Sequence, residues 1–424
     1  MAESSLADKH LSELHAEAAR LGVPNYRMLR RERLVEAIVE RGGGEEAPEE
    51  EPEPEERAEA PEPSREEAET EQVRGVLDLT HRGYGFLRLR GLEPSPGDVY
   101  ISASQIRRCE LRLGDLVEGP ARQPARGERY PALVHVDLVN GVEPVEEDKD
   151  KGVEIGPERP SLEDLTPVAA RRRLHLEPDQ ADVLTRAVDL LVPLALGQRV
   201  LVWAAPRSGR TTLLRGVAGA IQRSAERPGL VVLLIDERPE EATAWSEVLP
   251  DDELAVATAE MSPREQARVA DLALERAKRR AESGEDVVLI VDSLSRLAVA
   301  QRDPADVKHL FGAGRELAED ESGSLTVIAT ALDGLADQGA AREAVETTEN
   351  ALVRLDPELA AAGIYPALRP AECRASGEEE FREPAELEAV RRLRTELIGK
   401  DPPEAAALLR ERIEGSASNA ELLA

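Results

Sequence analysis

Four short runs of almost unbroken apolar residues, separated by stretches with helical periodicity, constrain the fold of this 424-residue chain more than any other feature. The runs are Val200–Ala205, Leu230–Asp236, Asp286–Asp292 and Leu325–Ala331. A strand buried on both faces is apolar throughout, and strands that alternate with helices form a parallel sheet covered by helices. The sequence therefore predicts an α/β domain over 163–424, with helices such as Thr212–Ala225 and Pro263–Ala281 between its strands.

The first of these strands leads into a glycine turn, Pro206-Arg-Ser-Gly-Arg-Thr-Thr212, and then into a helix. This arrangement gathers backbone N–H groups and the positive end of the helix dipole at one point, where nucleotide phosphates are held. The usual phosphate loop ends Gly-Lys-Ser/Thr, whereas this one ends Gly209-Arg210-Thr211. Thr211 can still ligate Mg²⁺ and Arg210 still offers positive charge. The alternative is an ordinary turn between a strand and a helix.

Acidic residues end two of the other predicted strands. Asp292 ends one strand, and Asp236-Glu237-Arg238 ends another. Because parallel strands end at the same edge of a sheet, these side chains are expected to lie near the phosphate loop. Asp292 is a candidate for orienting Mg²⁺, and Glu237 is a candidate general base for the attacking water. Together these residues predict a nucleotide site.

A different pattern, of short strands separated by glycine turns, covers about 73–142. The predicted strands are Val73–Leu79, Gly85–Leu89, Asp98–Ser102, Asp115–Gly119 and Ala132–Asn140. Five short strands in so short a segment predict a small OB-type β-barrel. Ten arginines and eight acidic residues give the segment between Val73 and Asn140 a charge of +2, in a chain whose net charge is −31.

One predicted strand of the barrel carries aromatic and basic residues at alternate positions. These residues are Arg82, Tyr84, Phe86, Arg88 and Arg90. Alternate residues of a strand share a face, so two rings would be bracketed by guanidinium groups, while Leu87 and Leu89 would pack inside the barrel. Bases stack on such rings without regard to sequence. This face therefore predicts single-stranded nucleic acid binding; the alternative is an aromatic pair packed beneath a loop.

The N-terminal part of the chain predicts a small helical unit over 4–41 and a linker over 42–72. Between Glu45 and Glu71 there are fourteen acidic residues and two arginines, and the many prolines prevent a continuous helix. The helical unit contains an arginine cluster, which is either a solvated helix start or a surface that contacts phosphates: Arg27, Arg30, Arg31 and Arg33.

Composition excludes several classes of protein. Cys109 and Cys373 are too few for a disulfide framework, which favours a reducing cytoplasm. The charged N-terminus does not resemble a signal peptide, and the longest apolar stretch, Leu190–Trp203, is broken by polar residues and too short to span a bilayer. A membrane protein, a secreted disulfide scaffold and a wholly disordered chain are therefore not expected.

Several segments resemble the transcription termination factor Rho family. In the α/β domain they are Leu233-Leu-Ile-Asp-Glu-Arg-Pro-Glu-Glu-Ala-Thr243, Asp292-Ser-Leu-Ser-Arg-Leu-Ala298 and Gly323-Ser-Leu-Thr-Val-Ile-Ala-Thr-Ala-Leu332. In the barrel they include Gly83-Tyr-Gly-Phe-Leu-Arg88 and Asp98-Val-Tyr-Ile-Ser102. The helical unit is similar to the leading domain of that family. The resemblance implies a multidomain chain: a helical N-domain, a cold-shock-like RNA-binding barrel and, after a linker over 143–162, a RecA-type ATPase domain.

The resemblance also implies partners and site residues. The family forms a hexameric ring that uses ATP with Mg²⁺ to move along nascent RNA and release RNA polymerase. The implied RNA contacts are Arg82, Tyr84, Phe86, Arg88, Asp98, Tyr100, Glu128, Arg129 and Tyr130. The implied nucleotide contacts are Arg207, Ser208, Gly209, Arg210, Thr211, Thr212 and the adenine-stacking Tyr365. Catalytic or metal roles fall on Glu237, Arg238 and Asp292.

The sequence departs from the family at functional positions. Both lysines of the phosphate loop are arginines here, Arg207 and Arg210, and the first pore loop is shortened to Gln301–Leu310. The second pore loop reads Glu346-Thr-Thr-Glu-Asn350, which places an anion where the family has a lysine. Gly363 replaces an arginine beside the adenine-stacking residue. The intersubunit arginine finger aligns with Ser376, leaving Arg374 as the local substitute.

Three hypotheses follow. The first is a Rho-type factor that couples single-stranded RNA binding to ATP hydrolysis. The second is a ring-forming, RNA-binding protein with impaired hydrolysis and no translocation, which regulates or competes with an active ring. The third is an RNA-binding barrel whose α/β domain is only a scaffold.

Overall fold

The computed structural model describes most of the chain from residue 70 onward. The described residues are 70–144, 146–148, 153–155, 159–177, 182–224, 227–250, 253–301, 304–319, 322–333 and 345–424. The predicted helical unit over 4–41 and nearly all of the predicted linker over 42–72 lie outside them. Among the described helices, none is both long and apolar enough to cross a membrane.

The N-terminal described region is a closed β-barrel, as the sequence predicts. Its elements are β1 (Thr70–Leu79), β2 (Gly85–Arg88), β3 (Val99–Ile101), α1 (Ala103–Arg108), β4 (Leu116–Arg122), β5 (Ala132–Leu133) and β6 (Leu138–Val139). The strand order is β1-β2-β3-β5-β4, and β4 pairs again with β1, which closes the barrel; β6 adds to β4. Alternating apolar residues such as Leu77, Leu87 and Ile101 fill its core.

The last predicted barrel strand is split into β5 and β6. Between them the chain crosses β4 at Gly119, where a Cβ atom would lie 2.1 Å from the carbonyl oxygen of His135. Only glycine permits this approach, and the crossing interrupts the regular pairing that an uninterrupted strand over Ala132–Asn140 would need.

The C-terminal region is an α/β domain built on a mainly parallel sheet. The parallel strands follow the order β14 (Leu254–Thr258), β13 (Gly229–Glu237), β15 (Asp286–Asp292), β17 (Ser324–Leu332), β12 (Arg199–Ala204) and β18 (Ala351–Arg354). β19 (Arg374–Ala375) is antiparallel at one edge, and β16 (Arg315–Leu317) joins β17 to β9 (Pro167–Val168). Two small sheets pair β7 (Glu146–Asp148) with β8 (Val153–Ile155) and β10 (Arg173–Leu174) with β11 (Leu194–Ala195).

Helices cover both faces of the central sheet. They are α2 (Val183–Leu191), α3 (Arg210–Arg223), α4 (Pro239–Ser246), α5 (Pro263–Glu282), α6 (Leu294–Gln301), α7 (Pro304–Gly312), α8 (Pro357–Ala361), α9 (Pro384–Ile398), α10 (Pro402–Glu414) and α11 (Asn419–Leu423). Two buried apolar clusters lie on opposite faces of the sheet, as strands apolar on both faces require. Ser262 and Glu265 form a capping box at the start of α5.

The barrel packs on α5 of the α/β domain. Val76 and Leu92 of the barrel belong to the same buried cluster as α5, and Gly114 approaches it so closely that a Cβ atom would lie 2.5 Å from the backbone nitrogen of Arg276. Arg268 of α5 also donates to the carboxylate of Asp78 in β1, at 3.0 Å. Apolar contact and an ion pair therefore join the two parts.

Candidate RNA face and nucleotide pocket

Four aromatic side chains form a cluster on the barrel surface. Tyr84, Tyr100 and Tyr130 surround Phe86, with ring centroids 5.9, 6.1 and 5.0 Å from the Phe86 centroid. The tyrosines are half-buried, whereas Phe86 is only 6% exposed. The tyrosine rings are therefore available to bases, and Phe86 supports them from below. The sequence predicts that Tyr84 and Phe86 share an exposed face. In the structure Tyr84 is half-buried and Phe86 is buried.

Two predicted RNA contacts, Arg88 and Asp98, are buried in an ion-pair cluster on the Phe86 side of the barrel sheet. Arg88 donates to the carboxylates of both Asp78 and Asp98, and all three side chains are at most 5% exposed. Ser95 donates to Asp98 through its backbone nitrogen, at 2.8 Å, and through its hydroxyl, at 3.0 Å. Because the guanidinium and the carboxylates are paired with one another, contact with RNA would require this cluster to rearrange. In this structure both side chains take part in holding the barrel together, and their contact with RNA stays a prediction.

The remaining predicted contacts surround the tyrosine cluster. Arg129 is exposed and its guanidinium lies 5.4 Å from the ring centroid of Tyr130. Glu128 is exposed and forms a two-pronged ion pair with Arg122, at 2.6 and 2.7 Å, while Arg82 is exposed at the turn before β2. The face thus combines three half-buried rings with exposed guanidinium groups, a combination suited to single-stranded nucleic acid.

The phosphate loop has the local geometry that its sequence predicts. After β12, Ser208 is buried and its hydroxyl donates to the carbonyl of Ala205 at 2.7 Å, which closes a tight turn. Gly209, at φ 94°, directly precedes α3 and supplies no side-chain cap. The first N–H groups of the helix are therefore available to an anion. Arg207, Thr211 and Thr212 are exposed or half-buried around this turn.

A β-bulge in β13 brings Glu237 into the pocket. The pairing register with β14 shifts between Ile235 and Glu237, and Asp236 between them adopts φ 53°. Asp236 consequently faces solvent while Glu237 is buried. Asp292 ends the neighbouring β15, opposite Leu234. Burial raises the pKa of both the Glu237 and the Asp292 carboxyl above the usual range, despite nearby arginines.

Arg210 connects the loop to both carboxylates. Its Nη2 donates to Glu237 at 2.7 Å, and its Nε lies 3.0 Å from Asp292 Oδ1. Thr330 also donates to Asp292 Oδ1, at 2.8 Å. A second arginine, Arg296, lies 2.5 Å from Glu237. The phosphate loop and the ends of β13 and β15 therefore lie together, as the sequence predicts.

The sequence analysis does not predict Arg296 as a site residue, although Arg296 lies in the segment Asp292–Ala298 that resembles the Rho family. Besides contacting Glu237, it donates to the backbone carbonyl of Asp236 at 2.7 Å. Arg296 lies in the first turn of α6, directly after the strand that ends at Asp292, and its place in the segment that resembles the family is the available signal. Arg238, in contrast, is exposed at the start of α4.

Tyr365 lies on the side of the phosphate helix. Its hydroxyl donates to Asp182 at 2.8 Å, and burial together with this bond raises its pKa above the usual range. Asp182 in turn abuts α3, because a Cβ atom on Gly216 would lie 2.7 Å from its carboxylate. The half-buried ring thus lies beside the phosphate helix, where a base can stack.

Arg374, the candidate finger, pairs with Glu349 of its own chain. Glu349 belongs to the second predicted pore loop, and Glu346 of that loop is exposed. In this structure the guanidinium of Arg374 is thus paired within its own chain.

The pocket fits ATP and Mg²⁺ unequally. The turn, the uncapped helix start and the ring of Tyr365 suit phosphates and a base. Thr211 and Asp292 offer the oxygen ligands that Mg²⁺ prefers. Arg210, however, already contacts the carboxylate of Asp292 and that of the neighbouring Glu237. The residues as arranged do not fit a divalent cation.

Comparisons with known proteins agree with this division of the chain. Residues 73–145 match the family model described as the Rho termination factor RNA-binding domain, and residues 185–308 match the nucleotide-binding domain of the ATP synthase alpha/beta family. A solved ATPase of a bacterial type III secretion system shares the fold over 67% of this chain and 93% of its own, with a TM-score of 0.51 and 22% identity.

Barrel, sheet and pocket together define an RNA-binding domain joined to a RecA-type nucleotide-binding domain. Transcription termination factor Rho of Aquifex aeolicus is 34% identical over 99% of this chain and 94% of its own length. The Bacillus subtilis Rho is 35% identical over 86% of this chain and 82% of its own, and the Streptomyces lividans Rho is 37% identical over 83% and 51%. The chain belongs to the transcription termination factor Rho family.

Proposed function

We propose that this protein binds single-stranded nascent RNA through its barrel, hydrolyses ATP in its α/β domain in response, and acts on RNA polymerase as a hexameric ring. The observation that carries the proposal is the coexistence, in one compact unit, of an accessible tyrosine cluster and a phosphate loop whose acidic partners meet at one sheet edge. Membership of the family supports the same combination.

On the barrel, RNA bases stack on Tyr84, Tyr100 and Tyr130, and Arg129 and Arg82 attract the backbone phosphates. Stacking contributes about 1–3 kcal/mol per base and tolerates any base. Phe86 holds the tyrosines in place, since it contacts two of them at centroid distances near 6 Å and Tyr130 at 5.0 Å. The barrel thereby selects unpaired strands, whose bases are free to turn outward.

In the pocket, the loop 206–212 and the start of α3 hold the phosphates, and Tyr365 holds the adenine. Glu237 orients the attacking water and accepts its proton, a role that suits a buried carboxyl whose pKa is raised. Arg296 fixes Glu237 at 2.5 Å, and Arg207 reaches the phosphates from the exposed side of the loop.

A second candidate function rests on the second predicted pore loop. Glu346 is exposed where the family has a lysine, and Arg374 pairs with Glu349 instead of projecting freely. An anion at the pore repels the RNA backbone, and a missing arginine finger lowers phosphoryl transfer by about 10³–10⁵-fold. On this hypothesis the ring binds RNA and nucleotide without translocating, and modulates an active ring.

One assay separates the two candidates: ATP turnover by the full chain with and without single-stranded RNA. The first candidate predicts turnover that RNA stimulates and that Glu237→Gln abolishes. The second predicts that ATP binds but is not turned over, even at saturating RNA. Absence of any nucleotide binding would leave only a barrel with a structural scaffold.

A further inference from the structure

We propose that the guanidinium of Arg210 takes the place of the divalent cation in this pocket, so that nucleotide binds equally well without metal. The inference rests on the proposed nucleotide site and concerns its cofactor requirement. It follows from the disagreement between the metal that such a pocket usually holds and the side chains arranged in it.

The first observation is positional. Arg210 directly follows the glycine of the loop, yet its side chain turns to the sheet edge and contacts both buried acids, Glu237 at 2.7 Å and Asp292 at 3.0 Å. Asp292 Oδ1 additionally accepts from Thr330. A cation entering this position would have to displace the guanidinium.

The second observation is the local charge. Arg210 and Arg296 carry two positive charges, and Glu237 and Asp292 carry two negative ones, so the group of four is neutral when all are ionised. A neutral set of ion pairs offers little attraction to a divalent ion, because the ion loses its water shell only in exchange for oxygen ligands whose charge is not already neutralised. The side chain of Arg210 is 13% exposed and those of the acids are 8% and 4% exposed.

The third observation is the residue type. An arginine is a planar fork with five N–H donors and can contact two carboxylates at once, whereas a lysine is a compact point charge. A lysine at position 210 would contact at least one of these two carboxylates less well than the arginine does. The replacement of the loop lysine by arginine is therefore what excludes the metal.

The test is the affinity of the full chain for ADP, measured by titration calorimetry in excess EDTA and again in excess Mg²⁺. ADP is chosen because it is not hydrolysed during the measurement. We expect the wild-type dissociation constants in the two buffers to agree within about threefold. A threefold ratio corresponds to less than half the binding free energy of a tenfold ratio. Arg210→Lys should bind about tenfold or more tightly in Mg²⁺ than in EDTA, since a metal stabilises phosphate charge substantially.

Arg207→Lys is the matched control, because it makes the same exchange two residues earlier, at an exposed loop position. Its affinity should change by the same factor in both buffers. Wild-type protein that requires Mg²⁺ overturns the inference, as does an Arg210→Lys variant indifferent to the metal. No ADP binding in either buffer overturns the nucleotide site itself, an outcome distinct from the others. Melting curves verify that each variant is folded. If a variant does not fold, the wild-type affinities in the two buffers still test whether nucleotide binding requires the metal.

Discussion

The barrel and the nucleotide pocket each contain an arginine that bridges two buried acids. In the barrel, Arg88 joins Asp78 and Asp98, and Arg268 adds a second positive charge. In the pocket, Arg210 joins Glu237 and Asp292, and Arg296 adds the second. The chemistry of the two clusters is the same, but their surroundings differ.

The bridging arginine and both acids of the barrel cluster are at most 5% exposed, whereas the pocket cluster borders an anion-binding turn. Burial opposes the charge on Arg88, yet attraction to Asp78 and Asp98 raises its pKa above the usual value. In the pocket, burial raises the pKa of both acids. The comparison teaches that the surroundings decide what an arginine–carboxylate bridge does. A bridge that is buried on all sides stabilises the fold, whereas a bridge that borders the phosphate loop forms part of a binding site.

Removing Arg88 should produce the largest effect. Arg88→Met leaves Asp78 with Arg268 as its arginine partner and takes the arginine away from the buried Asp98, and breaking a buried pair costs about 3–5 kcal/mol. Chemical denaturation should show this loss in the free energy of unfolding, together with loss of RNA binding. Arg90→Met, at an exposed position two residues after the end of β2, is the control and should change stability little. An Arg88→Met barrel of normal stability would contradict the structural role.

Removing Arg210 should cost less. Arg210→Met leaves Glu237 with Arg296 and Asp292 with Thr330, so we expect a loss of about 1–3 kcal/mol in the free energy of unfolding. Millimolar Mg²⁺ should then raise the melting temperature of Arg210→Met, because the freed acids bind the ion. Mg²⁺ should not rescue Arg88→Met. Equal rescue of both variants would remove the distinction between the two clusters.

Truncating a tyrosine should affect binding without affecting the fold. Tyr84→Ala or Tyr100→Ala removes a half-buried ring and should weaken single-stranded RNA binding by about 1–3 kcal/mol in an anisotropy titration, with little change in melting temperature. Phe86→Ala serves as the contrast, since truncating this buried ring should destabilise the barrel by about 3–5 kcal/mol. If Tyr84→Ala and Tyr100→Ala destabilise the barrel as much as Phe86→Ala, the rings are core and not a binding face.

Breaking the ion pair of Arg122 and Glu128 should have the smallest effect. The geometry is two-pronged, like that of the buried bridges, but the side chains are 35% and 41% exposed. A double-mutant cycle with alanine should give a coupling energy of about 0.2–1 kcal/mol, which decreases in high salt. A coupling as large as the cost of Arg88→Met would show that geometry, not burial, sets the strength of these bridges.

Much of the α/β domain could be predicted from the sequence. The four apolar runs correspond to β12, β13, β15 and β17 with boundaries shifted by at most a residue or two, since strands buried on both faces have an unmistakable pattern. The meeting of Arg210, Glu237 and Asp292 follows from the common edge of parallel strands. The bulge at Asp236, which decides that Glu237 and not Asp236 is buried, has no such signature.

The RNA face was predicted in part. Alternation shows which residues of β2 share a face, but not how deeply that face is covered. Asp78 lies directly opposite Phe86 in β1 and so shares the face with Arg88, a cross-strand relation that needs the pairing register. Without that register, Arg88 resembles an exposed phosphate contact, and its two counter-ions are missed.

Transcript release tests the account most directly. Stalled elongation complexes of RNA polymerase are incubated with the full chain, with and without ATP, and the fraction of RNA released is measured. The account predicts release that requires ATP and fails with the Tyr84→Ala/Tyr100→Ala double variant. Release that is absent at saturating protein, or that proceeds equally without ATP or without the tyrosines, would contradict it.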